Sequence, residues 1–167
     1  MIALKIKSLK ILMTQLLAGN TFDIFMLEEA SIATSLTYTI DGRINKEFYH
    51  DAQGIPEQEL TCEYKPWSEI KDLCFSLIKG KYTPLNFKFT LRLKPQQMES
   101  LYQKKLPSAD ISQLKALLLI IRYDGNSAQI TTGVSYQGFT LDKDPEKIWD
   151  ASITRYLSEK GILFEEV

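Results

Sequence analysis

The strongest constraint on the fold of this chain is a pattern that occurs twice. An Asp-Gly dipeptide stands at Asp41-Gly42 and again, 83 residues later, at Asp124-Gly125, and each is followed by a tryptophan, Trp67 or Trp149. Asp-Gly tolerates positive φ and closes tight β-hairpins, and each tryptophan opens a helical stretch. The pattern predicts that the chain is built twice from one plan.

Each half is predicted to contain a strand, a helix, three or four strands and a second helix. Residues 2–7 and 87–94 alternate apolar with polar or basic side chains, which is the period of a half-buried strand. Ser8 is placed to cap the helix after the first strand, and Pro95 to begin its counterpart in the second half. Gly19 predicts a left-handed end to the first of these helices.

The remaining elements follow from alternation, turn residues and caps. Together they predict an α+β protein with a mainly antiparallel sheet and an internal duplication. We expect residues 1–167 to form a single domain with pseudo-repeats over about 1–82 and 83–167, because 44% hydrophobic residues at this length bury a sizeable core. Further strands are expected at 36–40, 43–49, 60–64, 119–123, 126–134 and 138–142, helices from Trp67 and Trp149 to near Gly80 and Gly161, and a strong helix start at Asp144-Pro145-Glu146.

The second half resembles the repeat unit of DNA sliding clamps. The likeness rests on FKFTLRLKPQQMESLYQKKL, residues 87–106, and ALLLIIRYDGNSAQITTG, residues 116–133, and is fainter over 2–50. It implies a clamp-like architecture with nucleic acid against the repeat-initial helices. Clamp units lack helices such as those predicted at Trp67 and Trp149, and a saddle-shaped duplication of the TATA-binding-protein type accommodates them better.

The chain as a whole also resembles an uncharacterised bacterial protein family with no assigned function. This likeness rests on CFSLIKGKYTPLNFKF, residues 74–89, and on KGILFEEV, residues 160–167. It implies no activity, substrate or cofactor.

Overall charge gives no reason to expect a polyanionic partner, since 20 lysines and arginines stand against 21 aspartates and glutamates. A local patch is a different matter: Lys79-Gly80-Lys81-Tyr82 precedes a strand with a basic outer face, a composition that binds phosphate backbones. The interpretation that we favour for this run is a helix C-terminus followed by a solvated strand face. The residues predicted to contact an anion or nucleic acid are Lys5, Lys7, Lys79, Lys81, Lys88, Arg92 and Lys94, with Lys104 and Lys105 on the clamp-like helix face.

The sequence contains no recognisable catalytic, metal-binding or cofactor-binding pattern. His50-Asp51 is the one adjacent imidazole and carboxylate, and Cys62 and Cys74 are 12 residues apart, whereas zinc ligands usually pair at roughly two to four residues. The acidic pairs Glu28-Glu29 and Glu165-Glu166 are interpreted as solvated surface. We therefore expect no catalytic residue, no metal and no cofactor, and favour a protein that is not an enzyme.

The leading functional prediction is a non-enzymatic binding module that contacts nucleic acid or a protein partner as a homo-oligomer. The alternative is a small-molecule binding protein or an enzyme with a site between the two repeats, where we would expect Arg43, His50, Arg122 and the tyrosines to converge. The longest aliphatic run, Ala116 to Ile121, is far shorter than the roughly 20 residues that cross a bilayer. We expect no membrane partner and a cytoplasmic location, with both cysteines reduced.

Overall fold

The computed structural model describes residues 1–49, 53–55, 57, 61–107 and 111–167. Within these residues the chain forms seven strands in one sheet and four α-helices, with a short 3-10 turn at Lys46–Tyr49. The strands are β1 (Ala3–Ile6), β2 (Phe25–Ala33), β3 (Thr37–Asp41), β4 (Asn86–Leu93), β5 (Leu114–Tyr123), β6 (Ala128–Tyr136) and β7 (Phe164–Glu166). The helices are α1 (Leu9–Met13), which continues as a π-helical turn (Thr14–Ala18), α2 (Trp67–Ile78), α3 (Pro95–Lys105) and α4 (Asp144–Glu159).

The sheet is antiparallel throughout, in the order β3-β2-β4-β5-β6-β1-β7, which confirms the predicted α+β class with an antiparallel sheet. One face carries the core, with fully buried side chains such as Leu27, Phe89 and Leu119, and it shares a core cluster with helical residues such as Trp67. The helices therefore cover this face. The other face is open, since side chains such as Ile120 are only half-buried there.

Several element boundaries match the sequence-based predictions. Ser8 caps α1, its hydroxyl accepting the Ile11 N–H at 3.4 Å. Pro95 is the first residue of α3 and Asp144 the first of α4, where a proline in the first turn removes a donor that has no intrahelical partner. These starts depend on local chemistry, which is why the sequence alone locates them.

The second Asp-Gly dipeptide forms the predicted hairpin turn. Asp124-Gly125 connects β5 to β6, and Gly125 has a positive φ of 98°. The Asp124 carboxylate accepts the backbone N–H groups of Asn126 and Ser127 at 2.9 and 2.8 Å. Those two bonds lower the pKa of Asp124 and stabilise the turn.

The hairpin prediction for the first dipeptide is wrong. Asp41 is the last residue of β3, whose turn from β2 lies at 34–36, and Gly42 has no positive φ. Gly42 is needed for a different reason: a Cβ built there would lie 1.9 Å from the carbonyl oxygen of Leu27. The chain runs directly against β2 at this point, so the two dipeptides occupy different positions in the fold.

The predicted number of strands in each half is also too high. Across 43–49 and 61–64 the only pairing among described residues is an isolated bridge between Arg43 and Tyr64, and 138–142 forms no strand. Phe139 and Leu141, the large apolar residues of this segment, are 90% and 82% exposed. Alternation predicts a strand only where a neighbouring strand edge is available to pair with it.

Two helix boundaries differ from expectation as well. Trp67 begins α2 as predicted, but Trp149 is the sixth residue of α4. Gly19 does not adopt a left-handed conformation, since its φ is −90°. The first helix instead ends through the π-helical turn, with the Gly19 N–H donating to the Thr14 carbonyl at 2.7 Å.

The order of elements along the chain repeats, whereas the strand pairing does not. In the described residues each half runs strand, helix, strand, strand, helix, before β7. In the second half the first strand, β4, pairs with the next one, β5; in the first half β1 pairs with β6 and β7, at the far side of the sheet. Both halves therefore contribute to one sheet without equivalent neighbours.

Candidate anion-binding surface

A transverse line of polar side chains crosses the open face of the sheet. Lys88 in β4 is in register with Arg122 in β5, Arg122 with Gln129 in β6, and Gln129 with Lys5 in β1. Adjacent strands are about 4.8 Å apart, so the line spans roughly 14 Å. We call Lys88, Arg122, Gln129 and Lys5 the basic row.

The register of the basic row is set from the buried side of the sheet. Phe87 and Tyr123 form a cross-strand pair whose rings stack with centroids 5.1 Å apart, and Phe89 lies 5.1 Å from Phe87. Successive side chains on a strand point to opposite faces. Burying these three rings therefore directs Lys88 and Arg122 to the open face.

The charges of the basic row are unbalanced. Lys88 is half-buried, Arg122 and Lys5 are exposed, and none of the three forms an ion pair within the described part of the chain. Glu165 is in register with Lys5, on the side away from Arg122. Like charges directly opposite each other on neighbouring strands are destabilising, so a bound anion would relieve the repulsion between Lys88 and Arg122.

Arg92, another predicted contact residue, lies in β4 as well, but protein groups enclose its guanidinium. It is 8% exposed, and Nη1 lies 3.4 Å from the Glu28 carboxylate. Its guanidinium also lies over the Tyr64 ring and donates from Nη2 to the Lys115 carbonyl at 3.5 Å. The segment 61–66 crosses this end of the open face and covers Arg92.

The run at 79–82 lies next to the basic row in the chain and at the same end of β4. Helix α2 ends at Ile78, and Lys79 and Lys81 are exposed, with their ammonium groups 5.5 Å and 5.9 Å from the ring centroids of Phe75 and Tyr82. Tyr82 itself is 82% exposed. The segment thus provides both cations and an aromatic ring to the solvent.

The nine predicted contact residues fall into three groups. Lys5, Lys7, Lys79, Lys81 and Lys88 belong to the end of the sheet where β4 begins and β1 ends. Arg92 and Lys94 line a different cavity, next to Tyr64. Lys104 and Lys105 lie beside a groove between α3 and α4.

Arg122 was missing from the predicted contact residues although it is central to the row. The signal was present in the sequence: in the alternating strand 119–123, Arg122 falls on the face opposite Leu119 and Ile121. What alternation cannot show is which strand lies beside it. Only the β4–β5 pairing places Arg122 opposite Lys88.

The predicted site between the two repeats does not form from the described residues. Arg43 follows the edge strand β3 and contacts Tyr64 and Glu63, whereas Arg122 lies in β5, with β2 and β4 between those strands. His50 lies outside the described residues. Arg43 and Arg122 are therefore parts of separate clusters.

Cys74 and Glu28, two residues considered for chemistry, have structural surroundings in the described chain. Cys74 is buried, and burial raises the pKa of its thiol to about 12, so it stays protonated near neutral pH. No group of three or more His, Cys, Asp or Glu residues there is arranged to hold a metal ion. Glu28 of the first acidic pair is the ion-pair partner of Arg92.

These features define the chain as an α+β protein whose sheet has one face covered by helices and one open face that carries the basic row. It belongs to a family of unknown function: the family model described as "Family of unknown function (DUF5721)" matches residues 15–165, which confirms the predicted membership in an uncharacterised family. No curated protein and no solved structure matches the chain. Among the described helices, none is long and apolar enough to traverse a lipid bilayer.

Proposed function

We propose that this protein is a non-enzymatic binding module that holds a single-stranded nucleic acid on the open face of its sheet. The observation that carries the proposal is the register pair Lys88 and Arg122, two cations fixed opposite each other without a carboxylate partner in the described chain. A phosphate between them would replace a repulsion by two charge-assisted hydrogen bonds. Lys5 and the Gln129 amide extend the same line of donors.

A single strand fits this surface better than a duplex. Tyr82, in the segment that leads from α2 into β4, is exposed, and bases that are not paired can stack on an exposed ring. Sheets with stacking aromatics are a common way to bind single strands. A duplex keeps its bases paired and stacked on each other, so it would offer no free base to the Tyr82 ring.

The open face also bears on the two architectures implied by resemblance. A clamp-like arrangement would place nucleic acid against the helices, near Lys104 and Lys105, and would need several copies around one duplex. A TATA-binding-protein-like arrangement places it against the sheet. The unpaired charges of Lys88 and Arg122 favour the sheet, in a protein that we place in the cytoplasm.

The test is fluorescence anisotropy of a labelled single-stranded oligonucleotide and of a duplex of equal length, across a salt series. With three phosphate contacts, log affinity for the single strand should fall with log salt at a slope of about −2. Lys88→Gln/Arg122→Gln should weaken binding about tenfold at low salt and make the slope shallower by about 1.4. The matched control Lys46→Gln/Lys160→Gln removes the same charge from exposed positions outside the row and should change little.

Three results would overturn the proposal. One is no binding at low salt, and another is an equal loss in the control and in the basic-row variant. The third is a loss confined to Lys104→Gln/Lys105→Gln, which would favour the clamp-like arrangement. Measuring the protein's mass in solution during the same series shows whether binding needs an oligomer.

A further inference from the structure

Helices α3 and α4 enclose a groove of about 750 Å³ on the covered side of the molecule. Its floor is apolar and includes Leu93, Leu101, Ile148 and Trp149. Sites for small molecules typically measure roughly 300–1,000 Å³ and are lined mainly by such side chains. The groove is separate from the basic row, which lies on the opposite face of the sheet.

The polar groups in this floor are already satisfied. The Trp149 indole N–H donates to the Leu118 carbonyl at 2.9 Å, the Tyr156 hydroxyl to the Thr21 carbonyl at 2.6 Å, and the Ser152 hydroxyl to the Ile148 carbonyl at 2.6 Å. Such internal bonds leave no demand for a polar partner at the bottom of the groove. The floor suits an apolar ligand body.

The rim of the groove is positively charged. Four cations line it, of which two are already paired: Arg155 with Glu159 at 2.7 Å and Lys147 with Asp144 at 3.4 Å. Lys104 and Lys105, at the last turn of α3, form no ion pair within the described residues. A ligand with an acidic head would place that head at these two ammonium groups. The rim cations are Lys104, Lys105, Lys147 and Arg155.

We infer that the α3–α4 groove binds a single-chain anionic amphiphile, a fatty-acid-like acyl carboxylate. The acyl chain lies on Leu93, Leu101, Ile148 and Trp149, where its burial gains free energy in proportion to the apolar area removed from water. The carboxylate stays at the rim with Lys104 and Lys105, since an ionised head would be costly to bury in the floor. This site does not depend on nucleic-acid binding at the open face.

The test uses dodecanoate and dodecyltrimethylammonium, below their micelle-forming concentrations, as ligands of equal chain length and opposite charge. Calorimetry with the full chain should show binding of dodecanoate and at least tenfold weaker binding of the cation. In NMR spectra the indole N–H signal of Trp149 should shift with dodecanoate. The indole signal of Trp67, whose N–H is bonded to the Leu16 carbonyl in the core, should not.

Two variants separate head from chain recognition. Lys104→Gln/Lys105→Gln should weaken dodecanoate binding about tenfold, since exposed charge contacts contribute modestly each. Lys10→Gln/Lys46→Gln, which changes two exposed lysines that do not line the groove, should leave it unchanged. Ala151→Trp fills the groove from an exposed position on α4 without changing its charge, and should abolish the Trp149 shift.

Several outcomes would overturn the inference. Equal affinity for the two amphiphiles would show that the rim lysines do not select an anionic head. Binding that persists in Ala151→Trp would show that the ligand binds outside the groove. Binding to vesicles of anionic phospholipid without binding of free dodecanoate would assign the charged rim to a membrane surface instead.

Discussion

The guanidinium carbon of Arg92 lies 4.3 Å from the centroid of the Tyr64 ring. The same ring is approached by Arg43, whose Cζ is 5.4 Å from the centroid and whose Nη2 donates to the Tyr64 hydroxyl at 3.1 Å. Glu28 and Glu63 balance the two arginines. Tyr64 thus holds the segment that precedes α2 against the open face. Because its ring covers the Arg92 guanidinium, Arg92 contributes to the packing of the protein.

Arg92 and Tyr64 should be energetically coupled. We expect Arg92→Met and Tyr64→Leu each to lower the free energy of unfolding by about 1–3 kcal/mol, since each removes a partner from a mostly buried contact. The double variant should lose about 1 kcal/mol less than the sum, which is the coupling of a desolvated cation–π pair. Urea unfolding of the four proteins measures this. Strictly additive losses would show that the ring and the guanidinium act independently.

Gly42 should be irreplaceable, whereas Gly80 should not. Gly42→Ala places a Cβ against the Leu27 carbonyl oxygen, a backbone atom that cannot move without disturbing β2, so we expect a loss of about 2–4 kcal/mol. Gly80 has no positive φ, and a Cβ added there would have no atom within 4 Å, so Gly80→Ala should be neutral or stabilise by about 0.5 kcal/mol. Denaturant unfolding of both variants is the check. Equal stability would contradict the close approach of 42 to β2.

The two tryptophans should each contribute a buried hydrogen bond. Trp67 and Trp149 are 0% and 2% exposed and donate to the Leu16 and Leu118 carbonyls, both at 2.9 Å. We expect Trp67→Phe and Trp149→Phe to cost about 2–3 kcal/mol each through the lost bond and the remaining cavity. Tyr82→Phe, at an exposed ring, is the matched control and should leave the thermal midpoint unchanged. If either tryptophan variant loses no more stability than Tyr82→Phe, the indole hydrogen bonds do not stabilise the fold.

The two cysteines should react very differently. Cys74 is fully buried with a raised thiol pKa, while Cys62 is half-buried. The thiolate is the reactive form, so iodoacetamide at mildly alkaline pH should label Cys62 first and reach Cys74 only after denaturation. Mass spectrometry of peptides from timed samples measures the order. Labelling of Cys74 in the folded protein at a rate similar to Cys62 would contradict its burial.

Cys74 should also make stability depend on pH in the alkaline range. Burial raises the pKa of its thiol from 9.0 to about 12, so the folded chain holds this proton more tightly than the unfolded chain does. Its contribution is fully present below pH 9 and is lost as the pH rises from there towards 12. Buried Tyr102 also has a raised pKa, so the informative comparison is with Cys74→Ala, whose stability should fall less over this window. Parallel curves would contradict the prediction.

Local chemistry made much of the fold predictable. The cap at Ser8, the proline at 95 and the turn at Asp124-Gly125 act through atoms close in the chain, and all three lie where the sequence places them. Asp41-Gly42 has the same residues as the second turn but a different role. Its conformation is set by the close approach of Gly42 to Leu27 in β2. The residue preferences of turns do not report such a contact.

The candidate surface also has some features that local sequence predicts and others that depend on strand pairing. Alternation alone assigns Lys5, Lys88 and Arg122 to the outer faces of their strands, and composition alone identifies the basic run at 79–82. The row itself needs the pairings of β4 with β5, β5 with β6 and β6 with β1. The sequence does not predict the groove between α3 and α4, because its lining comes from two helices far apart in the chain and from Ile24 and Leu93, which precede both.

The sequence by itself therefore determined the α+β class, the antiparallel character of the sheet, the starts of its helices and the basic outer faces of its strands, because these depend on neighbours within a few residues. Only the tertiary structure decided which strands meet, that Arg92 is enclosed while Lys88 and Arg122 are left facing each other, and that α3 and α4 leave a groove. Those features arise from contacts between distant segments, whose free energy depends on a register and a burial that no local pattern encodes.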